Sequence, residues 1–200
     1  MRKGAWVLGL FVLALTLSGC GGLGLPSTSL GPNPTLKGKV QDYASRAEGE
    51  LIAYDPGMNY EFGRGWIKRD GSFTLTLYDL AEKLPGALLT VKSQESSDGC
   101  KLEVSTGEVG WNMLGPIVGP SGSLVYANPD RENLLATLFY ADRDARVKTF
   151  GSTCSLVWDL DVKKGWNWVL FYENEESNNE GDSLKLKTEL PVGFKWFAEY

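Results

Sequence analysis

Apolar and polar residues alternate with a period of two along most of the chain after residue 35, and turn-forming residues interrupt the alternation at short intervals. Phe73, Leu75 and Leu77 alternate with Thr74 and Thr76 directly after Asp70-Gly71. Leu156, Trp158, Leu160 and Val162 alternate with Val157, Asp159 and Asp161, and Leu184, Leu186 and Leu190 with Lys185, Lys187 and Glu189. This is the pattern of strands with one face buried, and a slip of one residue would turn the charged set inward. Residues Glu50 to Tyr54, Leu88 to Lys92, Cys100 to Val104 and Leu134 to Tyr140 are predicted as further strands. The last lies among good helix formers, but Leu138-Phe139-Tyr140 suits a strand and Asp142-Arg143-Asp144 a turn. In the segment after Lys163-Lys164-Gly165, Trp166, Trp168, Leu170 and Tyr172 share one face while Val169 and Phe171 occupy the other, so burial on both sides is expected. Between Gly107 and Pro129, frequent glycine and proline predict a long loop with at most short strands. The fold expected is all-β, an antiparallel β-sandwich spanning 35–200, as one domain or as two small β subdomains dividing near residue 106.

The first residues follow a different logic. Arg2 and Lys3 precede an apolar run from Ala5 to Thr16, the composition of an export signal. The run falls short of the roughly 20 residues that a bilayer-spanning helix needs. Leu17-Ser18-Gly19-Cys20 then resembles the lipobox of bacterial lipoproteins. The resemblance implies cleavage after residue 19, a diacylglyceryl group on the Cys20 thiol and acylation of its amine, and several acyl chains together give stable anchoring. Gly21 stands where aspartate resembles an inner-membrane retention signal, so the cell envelope is the expected address, with the outer membrane or cell surface favoured. Residues 20–34, rich in Gly, Pro and Ser, are expected to form the lipidated cysteine and a flexible tether reaching about 20 Å.

Loss of Arg2 and Lys3 leaves 18 basic against 25 acidic residues, a formal charge of −7. An acidic surface disfavours nucleic acid and anionic headgroups as partners. Two cysteines remain beyond Cys20, in a compartment where disulfides persist, and Cys100 and Cys154 are expected to pair.

Residues 36–77 contain the segments LKGKV, ELIAYD and WIKRDGSFTLTL. They resemble the carboxypeptidase-regulatory-like, transthyretin-like β-sandwich modules of bacterial surface proteins, in which a strand, an Asp-Gly turn and a Phe-containing strand form a hairpin. Gly49-Glu50-Leu51-Ile52 replaces the usual Gly-Ala-x-Val element. The resemblance implies scaffolding or binding rather than catalysis. Lys164-Gly165-Trp166-Asn167 resembles an element of bacterial envelope proteins to which no activity attaches.

The chain has no histidine, which removes Ser-His-Asp and Cys-His catalysis and histidine-based zinc sites. No S-x-x-K motif, EF-hand spacing or Gly-rich phosphate loop is present. Asp142/Asp144, Asp159/Asp161 and the run Glu173 to Asp182 supply oxygen ligands, but they read as solvated turns and an exposed strand face. No enzyme, metal or cofactor is expected. Exposed tryptophans can stack on sugars or anchor a protein partner. Trp66, Trp111 and Trp196 are the candidates, Trp111 foremost because its Gly-rich surroundings disfavour a core strand. The functional expectation is a membrane-anchored, non-catalytic module that is structural or binds an envelope protein, with a surface glycan as the alternative ligand.

Overall fold

The computed structural model describes residues 27–43, 47–55, 57, 59–131, 134–151, 153–173 and 184–199. The expected export signal, Cys20, the first part of the expected tether and most of the acidic run from Glu173 to Asp182 lie outside the described residues.

The protein is all-β. Among the described residues, seventeen strands join one mostly antiparallel sheet that folds over on itself as a β-sandwich. In chain order, β2 (Thr35–Lys39), β3 (Gly49–Tyr54), β4 (Glu61–Ile67) and β5 (Ser72–Leu77) pair in the spatial order β2, β5, β4, β3. Phe73, Leu75 and Leu77 point into the core as their alternation requires. The β4–β5 hairpin turns at Asp70-Gly71, where the Asp70 carboxylate accepts hydrogen bonds from the Ser72 backbone N–H (3.0 Å) and hydroxyl (2.6 Å). Only glycine fits next: Gly71 has φ +81°, and a Cβ there would lie 2.8 Å from the Val40 carbonyl oxygen. Helix α1 (Leu80–Lys83) follows, capped by Asp79.

The sheet continues through β10 (Ile117–Gly119), β11 (Gly122–Ala127) and β17 (Lys195–Glu199). A parallel bridge between Val40 and Trp196 then brings the C-terminal strand back beside the first strands. A first core of Leu51, Phe62, Ile67, Leu75, Ile117 and their neighbours fills this region.

The remaining strands are long hairpins bent across the middle. They are β6 (Leu89–Lys92) and β7 (Gln94–Glu95) against β8 (Lys101–Val104) and β9 (Glu108–Met113). Beside them, β12 (Leu134–Ala141) and β13 (Ala145–Phe150) run against β14 (Leu156–Val162) and β15 (Gly165–Glu173). Strand β16 (Leu184–Thr188) pairs parallel to β14 and antiparallel to β15, lying between two halves of one folded hairpin. The fold-over encloses a second core containing Val109, Phe139, Val147, Trp158, Leu160, Val162 and Val169.

The β12–β15 ladder, from Leu134↔Tyr172 to Ala141↔Gly165, stands between the two cores. Leu138, Tyr140 and Trp166 enter the first, while Phe139, Ala141 and Val169 enter the second. Burial of β15 on both faces therefore matches its sequence pattern. The Lys-Gly-Trp-Asn element forms the bend between β14 and β15. Asn167, 0% exposed, accepts from Lys163 N–H (3.0 Å) and donates to the carbonyls of Lys163 (2.7 Å) and Gly165 (2.9 Å). The buried Trp166 indole donates to the Tyr78 carbonyl at 2.8 Å. Opposite, the carboxylates of the 142–144 turn accept from backbone N–H groups, Asp142 from Gly110 (3.0 Å) and Asp144 from Lys164 (2.8 Å).

Four expectations need correction. The tether does not run free to Pro34, because β1 (Ser29–Gly31) pairs with β15 and Asn33 accepts from the Asp79 N–H. Residues 107–129 contain the six-residue strands β9 and β11, with glycines at turns and close approaches: Gly122 takes φ +109°, and a Cβ at Gly110 would meet the Asp142 carboxylate at 2.8 Å. The cores do not divide the chain near residue 106, since β10, β11 and β17 belong with the first. Finally, Leu190 lies beyond the end of β16, and Leu186 is the buried leucine of that strand.

Cys100 and Cys154 are joined, with Cα atoms 5.2 Å apart. The bond links the tips of the two long hairpins, where the Thr153 hydroxyl also donates to the Asp98 carbonyl (3.1 Å). Closing a loop with a sequence separation of 54 should stabilise the fold, and the chain-entropy model puts this at about 4 kcal/mol. Denaturant unfolding of the Cys100→Ser/Cys154→Ser double variant is expected to show a loss of that order. An unchanged midpoint would contradict it.

Candidate functional site: an aromatic-walled cleft

Strand β11 changes partner along one edge. Its first half pairs with β10, from Ile117↔Leu124 to Gly119↔Gly122, whereas Tyr126 and Ala127 pair with Ala136 and Leu135 of β12. Between these partners runs the connection Leu114–Pro116, held by Leu114 N–H to the Leu138 carbonyl (2.8 Å) and Gly115 N–H to the Tyr54 carbonyl (2.9 Å). The ladders part here and leave a cleft of about 440 Å³.

The cleft lining is mainly apolar. Leu124 and Leu138 are buried residues of the lining, and Leu135, 49% exposed, lies toward solvent. Tyr126, Trp168 and Trp196 are aromatic lining residues. The Tyr126 ring stacks on Trp196 at 4.5 Å and meets Trp168 at 5.1 Å and Phe194 at 5.6 Å, so the rings brace one another. Burial pushes the Tyr126 hydroxyl pKa up, and this hydroxyl has no hydrogen-bond partner among the described residues. The Thr137 hydroxyl is engaged, donating to the Leu114 carbonyl at 3.1 Å. Ser123 and Glu199, opposite each other in the β11–β17 ladder, add polar side chains to the lining.

The three tryptophans singled out in the sequence do not converge. Trp196 lines the cleft. Trp111 stacks on Phe139 at 5.0 Å with rings nearly parallel and meets Trp158 edge-on at 5.3 Å, packed against the second core. Gly110 beside Trp111, which suggests a loop, sits at a close approach to the Asp142 carboxylate within β9, so the expected absence of a core strand there is corrected. Trp66, 51% exposed, stands on the outer face of β4 opposite Glu50 and Thr74. Near it, Arg64 is gripped by Glu61 (2.6 Å) and Glu50 (2.7 Å). Sequence reasoning misses Trp168 and Tyr126 as cleft residues. The alternation puts Trp168 on its strand but does not show that it borders a cleft, and Tyr126 falls in the expected loop, although Leu124 and Tyr126 already show strand spacing.

Titratable groups elsewhere have structural partners. The buried Tyr140 hydroxyl donates to Asp79 and accepts from Ala81 N–H, tying β12 to the start of α1; burial and then the Asp79 carboxylate hold its pKa well above the usual tyrosine range. Burial, followed by the Glu189 carboxylate 2.9 Å away, pushes Tyr172 up to about 12. Neither pair lines the cleft. Among the described residues, no group of three or more His, Cys, Asp or Glu side chains could hold a metal ion. No helix among them is long and apolar enough to cross a membrane. No protein-family model matches the chain, and searches of curated proteins and of solved structures return no match.

Because Trp111 braces the second core, Trp111→Ala is expected to destabilise the fold by about 3 kcal/mol through loss of packed aromatic volume. Thermal or denaturant unfolding of the variant checks this, and an unchanged midpoint would contradict the packing role.

Proposed function

We propose that the chain is a lipid-anchored cell-envelope protein whose β domain acts without catalysis, holding an apolar group of a ligand or envelope partner in the β10–β11–β12 cleft. The observation that carries this reading is the cleft itself, a pre-formed apolar recess with braced aromatic walls, the common character of small-ligand sites. Acid–base or nucleophilic chemistry needs a tuned titratable group held against substrate. The tyrosine–carboxylate hydrogen bonds from Tyr140 to Asp79 and from Tyr172 to Glu189 serve packing away from the cleft. Anchoring is supported by the basic and apolar N-terminus and by Leu17-Ser18-Gly19-Cys20.

One observation favours glycan binding as a second reading. The exposed Trp66 ring lies on a sheet face with Arg64, Glu50 and Thr74 around it, and no other ring packs on it among the described residues.

Two measurements test the proposal. Intact mass of the membrane-extracted protein should show acylation at Cys20, and Cys20→Ser should release it from the membrane fraction. The uncharged dye Nile red should bind the mature chain with a fluorescence rise. Leu135→Arg at the exposed part of the lining should weaken that binding at least fivefold, and Trp66→Ala should leave it unchanged. An unmodified mature N-terminus would remove the anchor, and dye binding indifferent to Leu135→Arg would remove the cleft.

A further inference from the structure

Where the tether enters the fold bears on what the cleft receives. The Trp168 backbone N–H donates to the Thr28 carbonyl (2.9 Å), and Ser29 pairs with Asn167. The same Trp168 is among the residues that line the cleft. Eight chain steps, across the seven residues 21–27, lead from Cys20 to Thr28. Even fully extended they span at most about 28 Å. A lipid on Cys20 would therefore keep this wall of the cleft close to the bilayer surface.

The chemistry of the lining narrows the occupant. A sugar needs donors and acceptors converging on it from several sides, whereas this lining is mainly apolar: the Thr137 hydroxyl is already engaged, Ser123 and Glu199 sit together at one rung of the β11–β17 ladder, and the Tyr126 hydroxyl belongs to a residue three positions further along β11. A hydroxyl donor beside a mainly apolar recess suits an ester carbonyl at the head of an aliphatic chain. Glu199 in the lining and the acidic balance of the mature chain oppose an anionic headgroup.

Building on the proposed reading of the cleft, we infer that it takes an acyl chain of a zwitterionic phospholipid from the membrane beside which the anchor holds it. Leu124 and Leu138 contact the chain, Trp168 and Trp196 flank it, and the Tyr126 hydroxyl donates to its ester carbonyl.

The test uses the full mature chain carrying Cys20→Ser, mixed with phosphatidylcholine vesicles whose acyl chains bear bromine, a contact quencher of tryptophan. Plain phosphatidylcholine vesicles serve as the control. Tryptophan fluorescence is expected to be lower with brominated than with plain vesicles, with a clear drop in this quenching in Trp168→Phe and its near-abolition in Leu135→Arg. The near-isosteric Tyr126→Phe should weaken the apparent affinity about three- to tenfold, the range for one hydrogen bond. It leaves the ring stack in place and so keeps the test sound if the arginine variant folds poorly.

Brominated and plain vesicles giving equal fluorescence while Nile red still binds would overturn the phospholipid and leave the cleft as a binding site. Failure of both probes would overturn the cleft as well. Quenching unchanged in both Trp168→Phe and Tyr126→Phe would place the lipid elsewhere and overturn the inference. Quenching by a soluble brominated fatty acid but not by vesicles would overturn the membrane as the source. Equal or stronger quenching by brominated phosphatidylglycerol vesicles would overturn the zwitterionic headgroup.

Discussion

The two-sided burial of the β12–β15 ladder is the constraint on which the other elements depend. A strand pair with one wet face can tolerate polar residues there, but this pair separates two apolar cores, and Leu138, Tyr140 and Trp166 on one side are as thoroughly enclosed as Phe139, Ala141 and Val169 on the other. Truncating one large buried side chain costs about 3–5 kcal/mol. That is a large share of the roughly 5–15 kcal/mol that holds a typical domain folded. Damage to the ladder should therefore be felt in both cores. The polar groups inside it have partners: the Trp166 indole reaches the Tyr78 carbonyl, and Asn167 serves the bend at Lys163–Gly165.

That bend turns a long hairpin into a sandwich. Two antiparallel strands of this length would otherwise extend outward and leave one face wet. Gly165, at φ +99°, lets β15 leave the corner while β1 crosses tightly over it, and a Cβ there would lie 2.4 Å from the Gly31 carbonyl carbon. The tether thus docks on the ladder through a contact that no larger residue permits. The disulfide closes the opposite end by holding the two hairpin tips together. With corner and tips fixed, β16 can pair with both β14 and β15. The cleft follows from the same geometry, because β12 must serve β15, β9 and β11 and cannot follow β11 along its whole length.

Much of this is legible in the chain. Alternation in Phe73–Leu77 and in Trp158–Val162 marks strands and inward faces, and the two-faced pattern of Trp166–Tyr172 marks the double burial. Asp70-Gly71 signals its hairpin, and two cysteines in a chain whose first residues have the composition of an export signal point to the disulfide. The parts that are not legible depend on where strands lie in space. Gly110 and Gly122 look like loop residues until the Asp142 carboxylate and the β10–β11 turn are placed beside them. Ser29–Gly31 has tether composition and becomes a strand only because β15 offers an open stretch of edge. The cleft arises from a change of partner along β11, which leaves no local signature. Trp196 can therefore be found by its residue type, while Tyr126 and Trp168 need the topology. The same limit explains Trp111, whose neighbours suggest exposure and whose ring is part of a packed aromatic trio with Phe139 and Trp158.

If the ladder welds both cores, it cannot open while either of them stays folded. Native-state amide hydrogen exchange tests this most directly, since it reads the opening free energy strand by strand. The amides of Leu138–Tyr140 and Trp166–Val169 are expected to exchange only through global unfolding, with buried amides of β4–β5 and β13–β14 opening in the same event. Protection persisting in β4–β5 after β12 and β15 have exchanged would show two independently stable units and contradict the central role of the ladder.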